Sequence, residues 1–137
     1  IIFPLVAYEN LNWMLCRITK DSLERIYHIS SDDWRTHLLC VPNFKLVTAT
    51  RNYVQGHIHF EKKDNICEKA LLFENDLNSL DTKLIMVTDS MGGPYTILEG
   101  NKRAIALNSL NKLIDREVYV GISPNITNYH WARYSYL

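Results

Sequence analysis

The sequence lacks the features that mark several common classes of protein. No apolar run approaches the ~20 residues that a membrane-spanning helix needs, so no membrane association is expected. Fifteen basic residues balance fifteen acidic ones, whereas general DNA- and RNA-binding proteins usually show a basic excess. The three cysteines are widely spaced and form no Cys-x-x-Cys pair, which predicts reduced structural thiols, no zinc and a cytoplasmic location; they are Cys16, Cys40 and Cys67.

The common catalytic signatures are also absent. The chain has no Gly-x-Ser-x-Gly elbow, no Walker loop and no His-Glu-x-x-His motif. The apolar start, residues 1–7, lacks both a methionine and a basic segment, so it predicts an internal strand rather than a signal peptide. The missing methionine also predicts that residues precede Ile1.

Length and composition indicate one globular domain over residues 1–137. Apolar residues make up 47% of the chain and charged residues 22%, and no linker divides it. Predicted strands and helices follow one another without regular alternation. The sequence therefore predicts an α+β fold, a small mixed sheet with packed helices.

The first half of the chain gives the weaker structural signals. Apolar alternation predicts strands over residues 13–18, 44–48 and 53–60. A capping-box spacing at residues 21–24 predicts a short helix that carries Leu23, Ile26 and Tyr27, and Ser31 begins a second one. Residues 66–73 suit either a helix or a strand.

The second half is clearer. Residues 84–88 and 95–98 predict a hairpin, with Gly92, Gly93 and Pro94 in its bend. A helix should run from Asn101 to about Ile114, burying Ala104, Leu107, Leu110 and Ile114. A final strand is expected over residues 117–122.

The start of that helix is unusual because it carries two basic residues. The first turn of a helix presents unpaired N–H groups and the positive end of the helix dipole, so it favours acidic side chains. Here Lys102 and Arg103 lie in that turn, directly after Gly100 and Asn101. Such a concentration of positive potential can hold an anion, most often a phosphate. The alternative is that Gly100 only makes the turn while both cations point into solvent.

Residues 99–106, Glu-Gly-Asn-Lys-Arg-Ala-Ile-Ala, resemble the acidic-Gly-x-x-Arg-x-x-Ala box of the ParB/sulfiredoxin-like superfamily. The flanking strands are similar in kind, so the resemblance covers residues 83–122 as a ligand-binding strand-turn-helix-strand unit. It implies a nucleotide, with or without magnesium, or another phosphorylated small molecule at the helix N-terminus. Sulfiredoxin chemistry is not implied, because Asn101 stands where sulfiredoxins carry their reactive cysteine.

The resemblance also implies roles for the residues of the box. Gly100 and Asn101 would supply backbone donors, and Lys102 and Arg103 would supply charge, with Arg103 better suited to bidentate phosphate contact. Glu99 would contact the ligand or a metal and, if the protein is an enzyme, take part in phosphoryl transfer or NTP hydrolysis. Alternatively, Glu99 pairs with one of the two basic residues and only orders the turn.

Other candidate residues have ordinary structural explanations beside functional ones. Asp89 and Ser90 suit a turn at least as well as a place in the same site. His57 and His59 share a strand face but lack an evident third metal ligand, so no metal site is predicted. The aromatic tail favours docking on the domain or on another subunit over base stacking; it contains Tyr129, Trp131, Tyr134 and Tyr136. The competing function is thus a non-catalytic interaction module of the same fold that uses this tail, with a homo-oligomer as one form.

Overall fold

The computed structural model describes residues 11–29, 44–56, 65–68 and 83–126, together with Tyr129 and Ala132. Five strands form one mixed sheet, and helices pack with it, as an α+β fold predicts. The elements, in chain order, are β1 (Asn12–Arg17), α1 (Lys20–Leu23), β2 (Ile26–Tyr27), α2 (Leu46–Val54), β3 (Ile85–Thr88), β4 (Tyr95–Glu99), α3 (Asn101–Ser109) and β5 (Glu117–Ile122). Residues 65–68 are also helical.

The sheet has the strand order β1-β5-β3-β4-β2, so β3 occupies its centre. Strand β3 runs parallel to β5 and antiparallel to β4, while β1 is antiparallel to β5 and β2 is parallel to β4. The first two strands of the chain therefore form its opposite edges. As a consequence, residues 18–25, which include α1, cross from one edge of the sheet to the other.

The predicted hairpin is confirmed. In the β3–β4 ladder Ile85 pairs with Glu99 and Val87 with Thr96. At the closed end of the hairpin the buried Thr88 hydroxyl lies 2.7 Å from the carbonyl oxygens of both Ser90 and Pro94. These contacts hold the bend that joins the two strands.

One continuous apolar core lies between the helices and the sheet. Helix α2 packs on α3, where the Asn108 amide donates a hydrogen bond of 3.0 Å to the Thr50 hydroxyl. The largest fully buried side chains of this core are Phe44, Ile26, Leu46, Ile66, Leu84, Met86, Ile97, Ile105, Leu107 and Leu113.

The prediction of strands at residues 44–48 and 53–60 is wrong for the residues that the structure describes. Residues 46–54 form helix α2, and Gly56 follows its end; residues 57–60 lie outside the description. Valine, threonine and tyrosine favour strands, but Leu46, Ala49 and Tyr53 recur at helical spacing and face the core. Packing of this face overrides the intrinsic preference of the residues.

The boundaries of α1 also differ from the prediction. Thr19, rather than Asp21, caps the helix: its hydroxyl accepts from the Ser22 amide at 3.0 Å, and the Ser22 hydroxyl accepts from the Thr19 amide at 2.9 Å. The helix ends at Leu23, and Ile26 and Tyr27 form strand β2 instead of continuing it. The helix start predicted at Ser31 lies outside the described residues.

Helix α3 begins at Asn101 as predicted but ends at Ser109, not near Ile114. Asn111 adopts a left-handed conformation with φ of 58°, and the Lys112 amide donates to the Leu107 carbonyl at 2.9 Å. This is the Schellman pattern that terminates helices, with asparagine in the place of the usual glycine. Ile114 is consequently 41% exposed, while Leu113 takes the buried position.

The two cysteines within the description are free thiols and partly exposed. The Cys67 sulfur lies 3.3 Å from the Tyr53 hydroxyl on α2, and burial, together with Cys67, raises the pKa of that phenol to about 12. Cys40 lies outside the described residues. Among the helices that the structure describes, none is long and apolar enough to cross a membrane.

Candidate functional site

Gly100 reverses the chain between β4 and α3. Its φ of 96° and ψ of 28° lie in the left-handed region, which residues with a Cβ rarely adopt. A Cβ built on Gly100 would stand 2.4 Å from Leu84 Cδ2 and 2.7 Å from Arg103 Nη2. The turn therefore needs glycine both for its backbone conformation and for its packing.

Helix α3 begins directly after Gly100, with Lys102 and Arg103 in its first turn as the sequence predicted. The Gly100 carbonyl accepts the first helical hydrogen bond, from Ala104 N at 2.8 Å. No side chain caps the helix, and its first turn holds no acidic residue. The backbone N–H groups of Asn101, Lys102 and Arg103 form this first turn, where the helix dipole adds positive potential.

The Arg103 guanidinium folds back over Gly100. Its Nε and Nη2 atoms are buried without a hydrogen-bond partner, although the residue as a whole is partly exposed. Burial lowers the pKa of Arg103; the nearby Glu99 carboxylate opposes this shift, and Arg116 adds to it. Two donors of a cation are thus withdrawn from water with nothing to accept from them, an arrangement that costs free energy.

Glu99 ends β4 and is exposed. It lies close enough to influence Arg103 electrostatically, yet the side chains of Glu99 and Arg103 do not form an ion pair. The alternative in which Glu99 and Arg103 close the turn by pairing with each other is therefore not seen. The carboxylate remains directed outward beside the helix N-terminus.

The side chain of Asn101 connects the turn to β2 through a residue to which the sequence assigned no role. Its Nδ2 donates to the Ile97 carbonyl at 3.2 Å, and its Oδ1 lies 2.8 Å from Nδ1 of the fully buried His28. Because Oδ1 can only accept, Nδ1 of His28 carries the proton. The Asn101 amide is thus committed to the fold, which leaves its backbone N–H as the group that can meet a ligand.

His28 and Arg116 are the residues near the turn that sequence reasoning missed. His28 lies 73 positions before Asn101 in the chain, and Arg116 lies 15 positions after it. No local spacing therefore links either residue to the box. Strand pairing of β2 with β4 brings His28 to the turn. The strand β5 that follows Arg116 lies beside β3, which brings this second arginine near Arg103.

The remaining candidates do not join this site. Asp89 and Ser90 lie at the closed end of the hairpin, whereas the β4–α3 turn lies at its open end beside Ile85. Ser90 serves the bend instead, where its carbonyl accepts from the Gly93 amide at 3.0 Å. His57 and His59 lie outside the description, and the described residues contain no cluster of His, Cys, Asp or Glu that could hold a metal ion.

Within the aromatic tail, Tyr129 packs against a small cluster of Val87 on β3, Ile126 and Ala132, the last of which belongs to the tail itself. This agrees with docking of the tail rather than base stacking for that residue. The other aromatic residues of the tail, Trp131, Tyr134 and Tyr136, lie outside the description.

Comparisons with protein-family models, curated proteins and solved structures return no match to this chain. The resemblance to the ParB/sulfiredoxin-like superfamily therefore stays a prediction from the box itself.

We expect Gly100→Ala to lower the free energy of unfolding by roughly 2–4 kcal/mol, because it adds left-handed strain to a clash with Leu84. The matched control is Gly92→Ala, whose Cβ would meet nothing within 4 Å; its effect should stay within about 0.5 kcal/mol. Denaturant unfolding of both variants measures the difference. Equal stabilities would show that the turn tolerates a side chain.

The burial of His28 predicts a pH-dependent stability. Burial lowers the pKa of His28 from 6.5 to about 4, against the opposing effect of its hydrogen bond to Asn101. Between these two values the unfolded chain binds more protons than the folded one, so stability falls as the pH falls from about 6.5 towards 4. The loss between pH 7 and pH 5 should be about 2 kcal/mol.

The comparison with His28→Gln isolates this effect, because glutamine retains an N–H donor but does not titrate. Both proteins share every carboxylate, so the difference between their unfolding free energies at pH 7 and pH 5 reports His28 alone. Parallel pH profiles would mean that His28 is not enclosed as the structure shows.

Proposed function

We propose that the β4–α3 turn binds a phosphate group, as part of a nucleotide or another phosphorylated small molecule. The observation that carries this proposal is the Arg103 guanidinium, which covers an uncapped helix N-terminus while two of its buried donors lack partners. A phosphate would accept from the guanidinium and from the backbone N–H groups of Asn101, Lys102 and Arg103 together. The same arrangement is what the box of the ParB/sulfiredoxin-like superfamily leads one to expect.

The position of Arg103 suggests how such a ligand enters. In the structure the guanidinium packs on Gly100 and gains no hydrogen bond through Nε or Nη2. Rotation of the side chain outward exposes the backbone N–H groups of the turn and returns both donors to water or to phosphate oxygens. The movement gives up apolar contact but recovers hydrogen bonds to a charged group, which are worth about 1.5–3 kcal/mol.

Glu99 fits a magnesium ion that accompanies a nucleotide. Protein-bound Mg²⁺ is typically held by one or two carboxylates together with substrate phosphates and water. The Glu99 carboxylate is exposed, lies beside the turn and is not paired with Arg103. With such an ion bound, Glu99 would meet the phosphates through the metal rather than repel them, and it is the candidate for a role in phosphoryl transfer or NTP hydrolysis.

The proposal includes a cytoplasmic location, which the free thiols of Cys16 and Cys67 support. The interaction module that uses the aromatic tail remains the competing prediction. Tyr129 already packs on the domain, and no described residue adds an observation in favour of a partner at the tail.

Arg103→Ala should weaken binding of ADP or ATP by about 1.5–3 kcal/mol, through loss of charge-assisted hydrogen bonds. The stability of the ligand-free protein should change little, since the buried Nε and Nη2 atoms make no hydrogen bonds there. Calorimetry with each nucleotide, with and without magnesium, measures the affinity, and phosphate release measured alongside separates hydrolysis from binding.

Arg51→Ala is the matched control, because it removes an exposed arginine from α2 and should leave the affinity unchanged. Glu99→Gln should reduce the magnesium-dependent part of binding and spare the rest. Nucleotide affinity that is the same in wild type and Arg103→Ala would remove the turn from the site.

A further inference from the structure

A cavity of about 220 Å³ lies where residues 18–25 cross the sheet. All five strands contribute to its lining, through Cys16, Val118, Met86, Tyr95 and Ile26. Residues 99–103 are not among its described lining, so it is separate from the β4–α3 turn. Nothing in the proposed function uses this cavity.

The inner wall of the cavity is apolar. It includes side chains that are at most 2% exposed: Ile18, Ile26, Met86, Val118 and Val120. An apolar cavity of about 150 Å³ is enough to hold benzene. The cavity therefore has room for one ring with a short substituent, and it favours an apolar body over a polar one.

The hydroxyl groups around the cavity already have partners within the protein. Those of Thr19 and Ser22 form the capping box of α1, and the Tyr95 hydroxyl donates to the Met91 carbonyl. These groups consequently do not require a polar ligand for their own hydrogen bonds. A polar group of a ligand would therefore be bound by the charged residues of the lining.

Two arginines supply that charge. Arg17 and Arg25 both line the cavity and are exposed to solvent. Arg17 Nη1 donates to the Asp115 carbonyl at 2.9 Å, and Arg25 Nη2 lies 3.4 Å from the carboxylate of Asp21. The Asp21 side chain is 88% exposed, so this surface ion pair contributes little and leaves Arg25 able to bind another anion.

We propose that this cavity binds a small aromatic carboxylate, with the ring against the apolar wall and the carboxylate at Arg25 and Arg17. The match rests on three features of the site: its volume, its apolar wall and the two exposed arginines in its lining. Exposed charge beside a buried apolar wall suits a ligand whose charge and apolar body lie at opposite ends.

Three probes test each part of the proposal: benzoate, the neutral benzamide and acetate, which lacks the ring. We expect wild-type protein to bind benzoate at least tenfold more tightly than benzamide or acetate, as measured by NMR titration of backbone amides. Arg25→Gln should weaken benzoate binding about tenfold or more and change benzamide binding less than threefold. The amides that shift should belong to the lining of the cavity.

Two control variants separate this site from others. Arg51→Gln removes an exposed arginine outside the cavity and should leave benzoate binding intact. Arg103→Gln should also leave it intact, which distinguishes the cavity from the phosphate site proposed above. Equal affinity for benzoate and benzamide, an unchanged benzoate affinity in Arg25→Gln, or no benzoate binding at all would each overturn the proposal.

Discussion

The left-handed backbone of Gly100 lies directly against the buried side chain of Leu84, and this close packing fixes how α3 leaves the sheet. Because Gly100 has no Cβ, the start of the helix lies in contact with Leu84, the residue that precedes β3. The helix N-terminus is thereby held at the open end of the hairpin, directly after Glu99. Every feature of the candidate site, from the position of Glu99 to that of Arg103, depends on this turn.

The interactions around the turn divide into satisfied and unsatisfied groups. The Asn101 amide is hydrogen-bonded on both sides, to His28 and to Ile97, so it anchors the helix start to β4 and to the residue that follows β2. The guanidinium of Arg103, by contrast, is partly enclosed without acceptors for two of its donors. If the turn binds phosphate as proposed, this anchored helix start needs little reordering on binding, which favours affinity.

The sequence predicted most of what is local and least of what depends on distant contacts. Glycine chemistry and apolar patterns predict the hairpin and the Glu99–Gly100 turn. Asn111, which readily adopts the left-handed conformation, is the local signal that ends α3 before the predicted Ile114. The β-branched residues of α2 favour a strand over its short helical period, and packing on α3 decides for the helix. His28 could not be assigned from sequence, because the pairing of β2 with β4 alone brings it to the turn.

The most direct test of the account is an NMR titration of the backbone amides with inorganic phosphate, followed by ADP. If the turn binds phosphate, the amides of Asn101, Lys102 and Arg103 shift together and saturably with both ligands, and the Arg103 Nε–H signal shifts with them. The account would be contradicted if ADP binds while these signals stay in place, or if neither ligand moves any of them.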